Sequence, residues 1–228
     1  MRVINIFVFI ATVLSAVSCQ TSRRAEILFE TTKGDFTMAL FNETPLHRDA
    51  YLLLTRCGYF DSILFHRVID NFVVQAGDPN SRKARPGQML GDGEPFRIPA
   101  EIRFPKLYHK RGMVNAAREG DDTNPNRESC GSQFAIMTCG PLTDAQIERG
   151  EKWVREGTEG KAELTKDMKE HYKKHGGSPH LDAQYTVFAE IVSGMNVVDS
   201  IQKVKVDKFD RPLEDVRIVR ATVVKDYR

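Results

Sequence analysis

Arginine, histidine and serine side chains in the middle of the chain are the first candidates for chemistry. Arg67 keeps its charge at any ordinary pH and presents a planar fork of donors, which suits directed hydrogen bonding. Its neighbour His66 would point to the opposite face of a strand, which favours a structural role over that of a general base. Ser132 is not part of a nucleophile elbow, which argues against a hydrolase triad. Asp78 and Asp182 lie near strand ends, where turn formation is the more common role.

Metal, cofactor and nucleic-acid chemistry are not supported by the composition. The six histidines are scattered, and the four cysteines, Cys19, Cys57, Cys130 and Cys139, form no CxxC pair. Lys and Arg number 33 against 31 Asp and Glu, with both signs interspersed, so no basic field would attract a nucleic acid. The 228 residues, 41% hydrophobic and 28% charged, are typical of a globular protein. We therefore expect no metal and no nucleic-acid partner. We also expect no cofactor and a monomer.

The first 24 residues are typical of a targeting segment. Arg2, an apolar run and a short stretch of small residues predict a signal peptide over residues 1–18, and the run is too short for a membrane-spanning helix. Cys19 resembles the lipidated cysteine of bacterial lipoproteins, with residues 19–24 as a tether. Ordinary cleavage nearby is the alternative, since Ala16 stands where leucine is usual. The expected location is the bacterial cell envelope, lipid-anchored and facing the periplasm, with the outer membrane favoured and membrane contact through the anchor only.

The remaining residues, 25–228, have the pattern of a mainly β domain. Alternating apolar residues on both sides of Lys33-Gly34 predict a hairpin, and Thr44-Pro45 begins a helix that ends at Cys57-Gly58. Further strands are predicted at 62–68, 72–76, 112–117, 133–137, 185–192 and 216–224, with a short helix at 196–202. Many short strands in hairpin order predict a closed antiparallel barrel with helices at its ends.

A charged segment, residues 143–176, interrupts the β pattern. It carries 16 charged residues, eight of each sign, and opens with Thr143-x-x-Gln146, a capping box. Its second half has a narrow apolar stripe of Leu164, Met168 and Tyr172, and its first half is interrupted by Gly150, Gly157 and Gly160. We interpret the segment as an inserted helical excursion with a solvated face, and a partner-binding arm is the alternative.

Three sequence blocks resemble the signatures of the cyclophilin family. The stretch FHRVIDNFVVQAGD at 65–78 resembles the first block, GSQF at 131–134 the second, and HLD at 180–182 followed by YTVF at 185–188 the third. Together with the opening hairpin, the blocks cover nearly all of residues 25–227. The resemblance implies an eight-stranded antiparallel barrel capped by two helices, which agrees with the patterns above.

The same resemblance implies a peptidyl-prolyl cis-trans isomerase that acts on proline-containing polypeptides, here on exported, folding proteins. Rotation about the amide bond is opposed by a barrier of about 18–20 kcal/mol. At the twisted transition state the prolyl nitrogen regains its lone pair, so a donor placed there lowers the barrier. By resemblance, the catalytic residues are Arg67, Phe72, Gln75 and Gln133. The substrate-binding residues would be Val73, Ala117, Ala135, His180, Leu181 and Tyr185.

Several positions depart from the family pattern. Ala135 stands where many members have a second Phe, which predicts a wider and weaker proline pocket. His180 stands where eukaryotic members have a Trp, and Tyr185 where a His is usual. Trp153, in the charged segment, is not expected to reach that position without an unusual fold-back. A catalytically weak proline-peptide-binding or chaperone module of the same fold is therefore the alternative function.

Overall fold

The computed structural model describes residues 23–227, and an eight-stranded antiparallel sheet forms its centre. The strands are β1 Glu26–Thr31, β2 Gly34–Leu40, β3 Phe65–Ile69, β4 Val73–Ala76, β5 Arg97–Ile98, β6 Met113–Ala116, β7 Ser129–Cys130, β8 Phe134–Met137, β9 Val187–Ser193 and β10 Ile218–Lys225. The large sheet has the order β10-β1-β2-β9-β6-β8-β4-β3, and β5 pairs with β7. The predicted signal peptide and Cys19 lie outside the described residues.

Four helices accompany the strands in the described part of the chain. They are α1 Pro45–Arg56, α2 Asp144–Gly157, α3 Lys166–His175 and α4 Met195–Gln202, and short 3-10 helices cover Pro79–Lys83 and Pro179–Leu181. The proline at the start of α1 has the fixed φ that a first helical turn requires and loses no hydrogen bond there. No helix among residues 23–227 is long and apolar enough to cross a membrane.

The core lies inside the curled sheet and is rich in aromatic side chains. Phe29 stacks on Phe36 across the β1–β2 hairpin with ring centroids 5.1 Å apart. Tyr51 of α1 contacts Phe188 of β9 at a centroid distance of 4.2 Å. Because side chains alternate along a β strand, every second residue of β1 turns inward and is buried.

The predicted closed barrel is wrong, because β3 and β10 are the two edges of the sheet. They meet only near Leu64 and Arg217, where an isolated bridge joins them. Beyond that point the loop before β10 covers the outer edge of β3, and Val68 donates to the carbonyl oxygen of Asp210 over 2.8 Å. The sheet is thus a half-barrel whose last pairing is made by a loop.

The element boundaries agree closely with the sequence pattern. The eight predicted strands and the helices at 45–56 and 195–202 are present, with ends displaced by at most a few residues. The short β5 and β7 were not predicted, since two-residue strands have no readable alternation. The charged segment folds into α2 and α3, and the capping box of Thr143 and Gln146 is formed. Its apolar stripe is buried in a small separate core.

Candidate active site

A chain of side-chain hydrogen bonds ends at the guanidinium group of Arg67. Arg67 Nη1 donates to Oε1 of Gln75 over 3.4 Å, and Gln75 Nε2 donates to Oε1 of Gln133 over 3.2 Å. Gln133 Nε2 donates to the carbonyl oxygens of Gly91 and Gly93, each over 2.8 Å. Because the amide nitrogen of Gln133 is held by two carbonyls, its oxygen must face Gln75. The Gln75 oxygen is thereby turned toward Arg67.

Strand pairing places these residues on the outer face of the sheet. Arg67 of β3 lies opposite Gln75 of β4, and Gln75 lies opposite Ala135 of β8. The neighbours Val74 and Ala76 point into the core and are fully buried. The side chain of Arg67 is 41% exposed, so it can contact a molecule that binds on this face.

His66 points away from that face, as the sequence predicted. The β3–β4 ladder has a register shift between Phe65 and Arg67, so His66 occupies a bulge and is only 4% exposed. Neither ring nitrogen has a hydrogen-bond partner among the described residues. Burial lowers the pKa of His66 to about 4, so the ring is neutral near pH 7.

Asp78 fixes the loop that holds Gln133. Its fully buried carboxylate accepts hydrogen bonds from the backbone nitrogens of Asn80, over 2.7 Å, and Gly91, over 2.5 Å. A Cβ atom on Gly93 would lie 2.0 Å from Oδ1 of Asp78, so only glycine permits this approach. Asp78 is therefore a loop-forming residue, and it is linked through Gln133 to Arg67.

An apolar cluster that includes Phe72, Val73, Ala135 and Leu181 lies beside the hydrogen-bonded chain, where the resemblance predicts the proline site, and is here called the proline pocket. Val73 and Ala135 are 2% and 7% exposed, and Phe72 and Leu181 pack against them from the rim. Ala135 contributes only a methyl group to the proline pocket.

Three of the six predicted substrate-binding residues lie outside the proline pocket: Ala117, Tyr185 and His180, the last of which contacts Phe72. Ala117 lines a separate polar cavity with Gln75 and Gln133, and its backbone nitrogen donates to the carbonyl oxygen of Gln133 over 2.9 Å. Tyr185 is covered by the guanidinium group of Arg118, 4.4 Å above its ring centroid.

Comparison with known proteins decides the family. The family described as cyclophilin type peptidyl-prolyl cis-trans isomerase/CLD matches residues 26–223. The chain belongs to this family. The expected membership of a family of isomerases is thus confirmed, and the three sequence blocks lie within the matched residues.

Relatives of this cyclophilin differ widely in length. A Streptococcus pyogenes protein, whose name combines a phosphatase with a peptidyl-prolyl cis-trans isomerase, is 34% identical over 199 residues, 85% of this chain and 37% of that protein. Peptidyl-prolyl cis-trans isomerase-like 1 of Aspergillus fumigatus is 30% identical over 203 residues, 88% of this chain and 96% of the relative. The chain thus spans little more than a third of the first and almost all of the second.

A solved structure shows the same fold. The crystal structure of a Cryptosporidium parvum cyclophilin type peptidyl-prolyl cis-trans isomerase superposes with a TM-score of 0.62 at 22% identity, covering 90% of this chain and 99% of that one. The cyclophilin described here therefore has the same fold as that structure.

Trp153 lies against the substrate side of this cyclophilin, contrary to the sequence-based expectation. Its ring meets that of His180 edge-on at a centroid distance of 5.5 Å, and His180 contacts Phe72 at 5.3 Å. The chain therefore does fold back to bring Trp153 against His180. Two glycines, Gly150 and Gly157, permit it.

Those two glycines are two helical turns apart and lie on one face of α2. A Cβ atom on Gly150 would lie 2.6 Å from Cγ of Pro179, and one on Gly157 would lie 2.0 Å from Oε1 of Gln184. Their small size lets the helix approach the segment that carries His180 and Leu181. The expectation of a solvated excursion is therefore wrong for this face, since α2 is docked beside the proline pocket.

Asp182 ties α3 to the same segment. Its buried carboxylate accepts hydrogen bonds from the hydroxyl of Tyr172, over 2.6 Å, and from the backbone nitrogen and Nδ1 of His109, both over 2.8 Å. The Tyr172 hydroxyl remains protonated because burial, together with the adjacent Asp182 carboxylate, raises its pKa well above the usual value.

Sequence reasoning missed one charged neighbour of the site. Asp210 Oδ2 lies 3.7 Å from Nε of Arg67, whereas Gln75 is contacted by a different nitrogen, Nη1. The residue precedes β10 and belongs to none of the three blocks, so no spacing or motif connected it with β3. Its positive φ of 63° favours Asp or Asn over most other residues.

Proposed function

We propose that this cyclophilin catalyses the cis-trans isomerisation of X-Pro peptide bonds, with Arg67 as the residue that donates to the prolyl nitrogen. The observation that supports this most strongly is the hydrogen-bonded chain from Gly91 and Gly93 through Gln133 and Gln75 to Arg67. A guanidinium group held in one orientation requires no rearrangement when the transition state forms.

The proposed reaction breaks no covalent bond. The pyrrolidine ring binds in the proline pocket, with Phe72 and Leu181 at its rim. As the amide twists, conjugation is lost and the prolyl nitrogen becomes pyramidal, so its lone pair can accept a hydrogen bond. Arg67 donates to that lone pair, an interaction that neither planar isomer offers equally, and the barrier falls. Gln75 acts on Arg67 and is a positioning residue.

The proposed substrates are proline-containing segments of exported proteins, and the proposed place of action is the bacterial cell envelope. This part of the proposal rests on the sequence of residues 1–24, where the signal-peptide pattern ends at Cys19. Slow X-Pro isomerisation limits the folding of many chains, so an isomerase beside the site of export would shorten that step.

The alternative is a proline-peptide-binding module without useful acceleration, which Ala135 favours because one wall of the proline pocket is small. An isomerisation assay of the purified full chain on a prolyl peptide separates the two. Acceleration that saturates with peptide supports the enzyme. Saturable binding without acceleration would instead establish the binding module.

A further inference from the structure

A groove of about 320 Å³ lies between α2 and the rim of the proline pocket. We call it the α2 groove. Its walls and floor include Phe72, Leu142, Trp153, Pro179 and His180, and Arg149 stands at its edge. The size is that of a site for one or two amino-acid side chains, at the lower end of the range for small-ligand sites.

The α2 groove is continuous with the proline pocket. Phe72 belongs to both, and the rings of Phe72, His180 and Trp153 follow one another at centroid distances of 5.3 and 5.5 Å. An extended polypeptide advances about 3.3–3.6 Å per residue, so about three residues would carry it from the pocket to Trp153. A chain bound at its proline is therefore long enough to place a residue about three positions away in the groove.

Packing beneath α2 keeps the groove formed without a ligand. Ile147 and Val154 of α2 are buried against Leu142, Leu164 and Met168, and on the same helix Gly150 contacts Pro179 directly. A subsite that already exists does not have to be ordered when a substrate binds, which reduces the entropic cost of binding.

The exposed groups of the groove combine an aromatic surface with one unpaired cation. Trp153 is 52% exposed, and His180 is neutral near pH 7 because burial lowers its pKa to about 4. Two of the three cations of α2 have a carboxylate partner. Lys152 pairs with Glu156 and Arg155 with Glu163, each at 3.7 Å. Among the described residues, Arg149 has no carboxylate partner.

We propose that the α2 groove is a second substrate subsite, which binds an apolar side chain and an adjacent acidic one about three residues from the proline. The apolar side chain would pack on Trp153 and Pro179, and the carboxylate would pair with Arg149. The subsite extends the proposed isomerase site, and this inference rests on that proposed function. It gives the inserted helices a role in selecting which prolines are isomerised.

The test uses Trp153 as its own probe, since it is the single tryptophan of the chain. Two tryptophan-free peptides share an Ala-Pro core, and one carries Leu-Glu three residues from the proline where the other carries Ser-Ser. Each peptide is made in two versions, one with the pair before the proline and one with the pair after it. Binding to the full chain is followed by Trp153 emission and by calorimetry, and isomerisation is measured separately.

With the pair placed on one side of the proline, either before or after it, we expect the Leu-Glu peptide to bind about tenfold tighter than the Ser-Ser peptide. Its binding should also shift Trp153 emission to the blue. Arg149→Gln should lose most of that preference, whereas the matched change Lys152→Gln, on the same helix, should keep it. Trp153→Ala, followed by calorimetry, should lose the preference without weakening the Ser-Ser peptide. Because Trp153 is 52% exposed, Trp153→Ala should keep the fold, and far-UV circular dichroism checks this.

Equal affinities of the Leu-Glu and Ser-Ser peptides, both with the pair before the proline and with the pair after it, would overturn the subsite. Unchanged Trp153 emission on binding would overturn it as well. Equal losses in Arg149→Gln and Lys152→Gln would reduce the effect to general charge and also overturn it. If Trp153 emission changes with protein concentration when no peptide is present, the groove binds a second copy of the chain, which would also overturn the subsite. Discrimination in binding without any isomerisation would refute the proposed function and leave the subsite standing.

Discussion

Gln75 donates a hydrogen bond from Nε2 to Oε1 of Gln133 over 3.2 Å, and this contact connects a surface loop to Arg67. The loop carbonyls of Gly91 and Gly93 hold the amide of Gln133, and Gln75 transmits that orientation to the guanidinium group. The position of the proposed catalytic group therefore depends on residues that never touch the substrate nitrogen.

Replacing Gln133 by leucine tests this dependence. Gln133→Leu removes both donors to the loop and the acceptor for Gln75, so we expect kcat/KM to fall between about 10- and 100-fold. The loss of stability should be about 1–3 kcal/mol, because two carbonyl groups lose their partner. The exposed Gln88 of the same loop provides the matched control, Gln88→Leu, which should change kcat/KM little. Equal effects of the two substitutions would contradict the proposed orientation of Arg67.

Ala135 limits the apolar contact in the proline pocket. Ala135→Phe should tighten the binding of proline peptides, since an aromatic ring packed on a pyrrolidine contributes on the order of 1 kcal/mol. Calorimetric titration with an Ala-Pro peptide measures the change. Val192→Phe, at an exposed position on β9, serves as a control for added surface aromatic area. Unchanged or weaker binding by Ala135→Phe would show that position 135 does not face the bound proline.

Burial of His66 predicts a loss of stability in mild acid. Its pKa is about 4 in the folded protein and about 6.5 when unfolded, so between these values the unfolded chain binds a proton that the folded one excludes. The contribution of His66 to the free energy of unfolding should therefore be most favourable above pH 6.5 and fall by up to about 3 kcal/mol as the pH drops to 4.

Urea unfolding at several pH values, compared between wild type and variants, isolates the contribution of His66. His66→Phe should flatten the decline, and His180, whose pKa is also about 4, accounts for part of the remaining slope. His175→Phe, at an exposed position, should keep the wild-type decline. If His66→Phe retained the full pH dependence, protonation of His66 would not be its source.

Lipidation of Cys19 is a separate prediction about the chain before the described residues. Expressed in a bacterial host, the wild type should incorporate labelled fatty acid and enter the detergent phase, and Cys19→Ser should do neither. More than one acyl chain is needed for stable anchoring, since each buried CH₂ contributes only about 0.8 kcal/mol. Cys57→Ser is the matched control. Label that persists in Cys19→Ser would refute the lipoprotein assignment and leave the isomerase proposal untouched.

The sequence predicted the strands well because their local alternation reflects which face is buried. It predicted the closed barrel wrongly, since closure depends on whether β10 or the loop at Asp210 reaches the edge of β3, and no local pattern encodes that choice. The position of Trp153 could not be predicted either. Gly150 and Gly157 were interpreted as helix interruptions, although their spacing also permits close packing on Pro179 and Gln184. Only the tertiary structure distinguishes these interpretations.

Isomerase activity of Arg67 variants tests the central claim most directly. The measurement is kcat/KM for a prolyl peptide with the wild type, Arg67→Ala and Arg67→Lys, each checked for its fold by near-UV circular dichroism. Arg67→Ala should lower kcat/KM at least about 100-fold while the fold is kept, because the side chain is 41% exposed and adds little to the core. Arg67→Lys should recover only part of the rate, since an ammonium group lacks the planar fork that Gln75 orients. Near-wild-type activity of a well-folded Arg67→Ala would contradict the proposed mechanism.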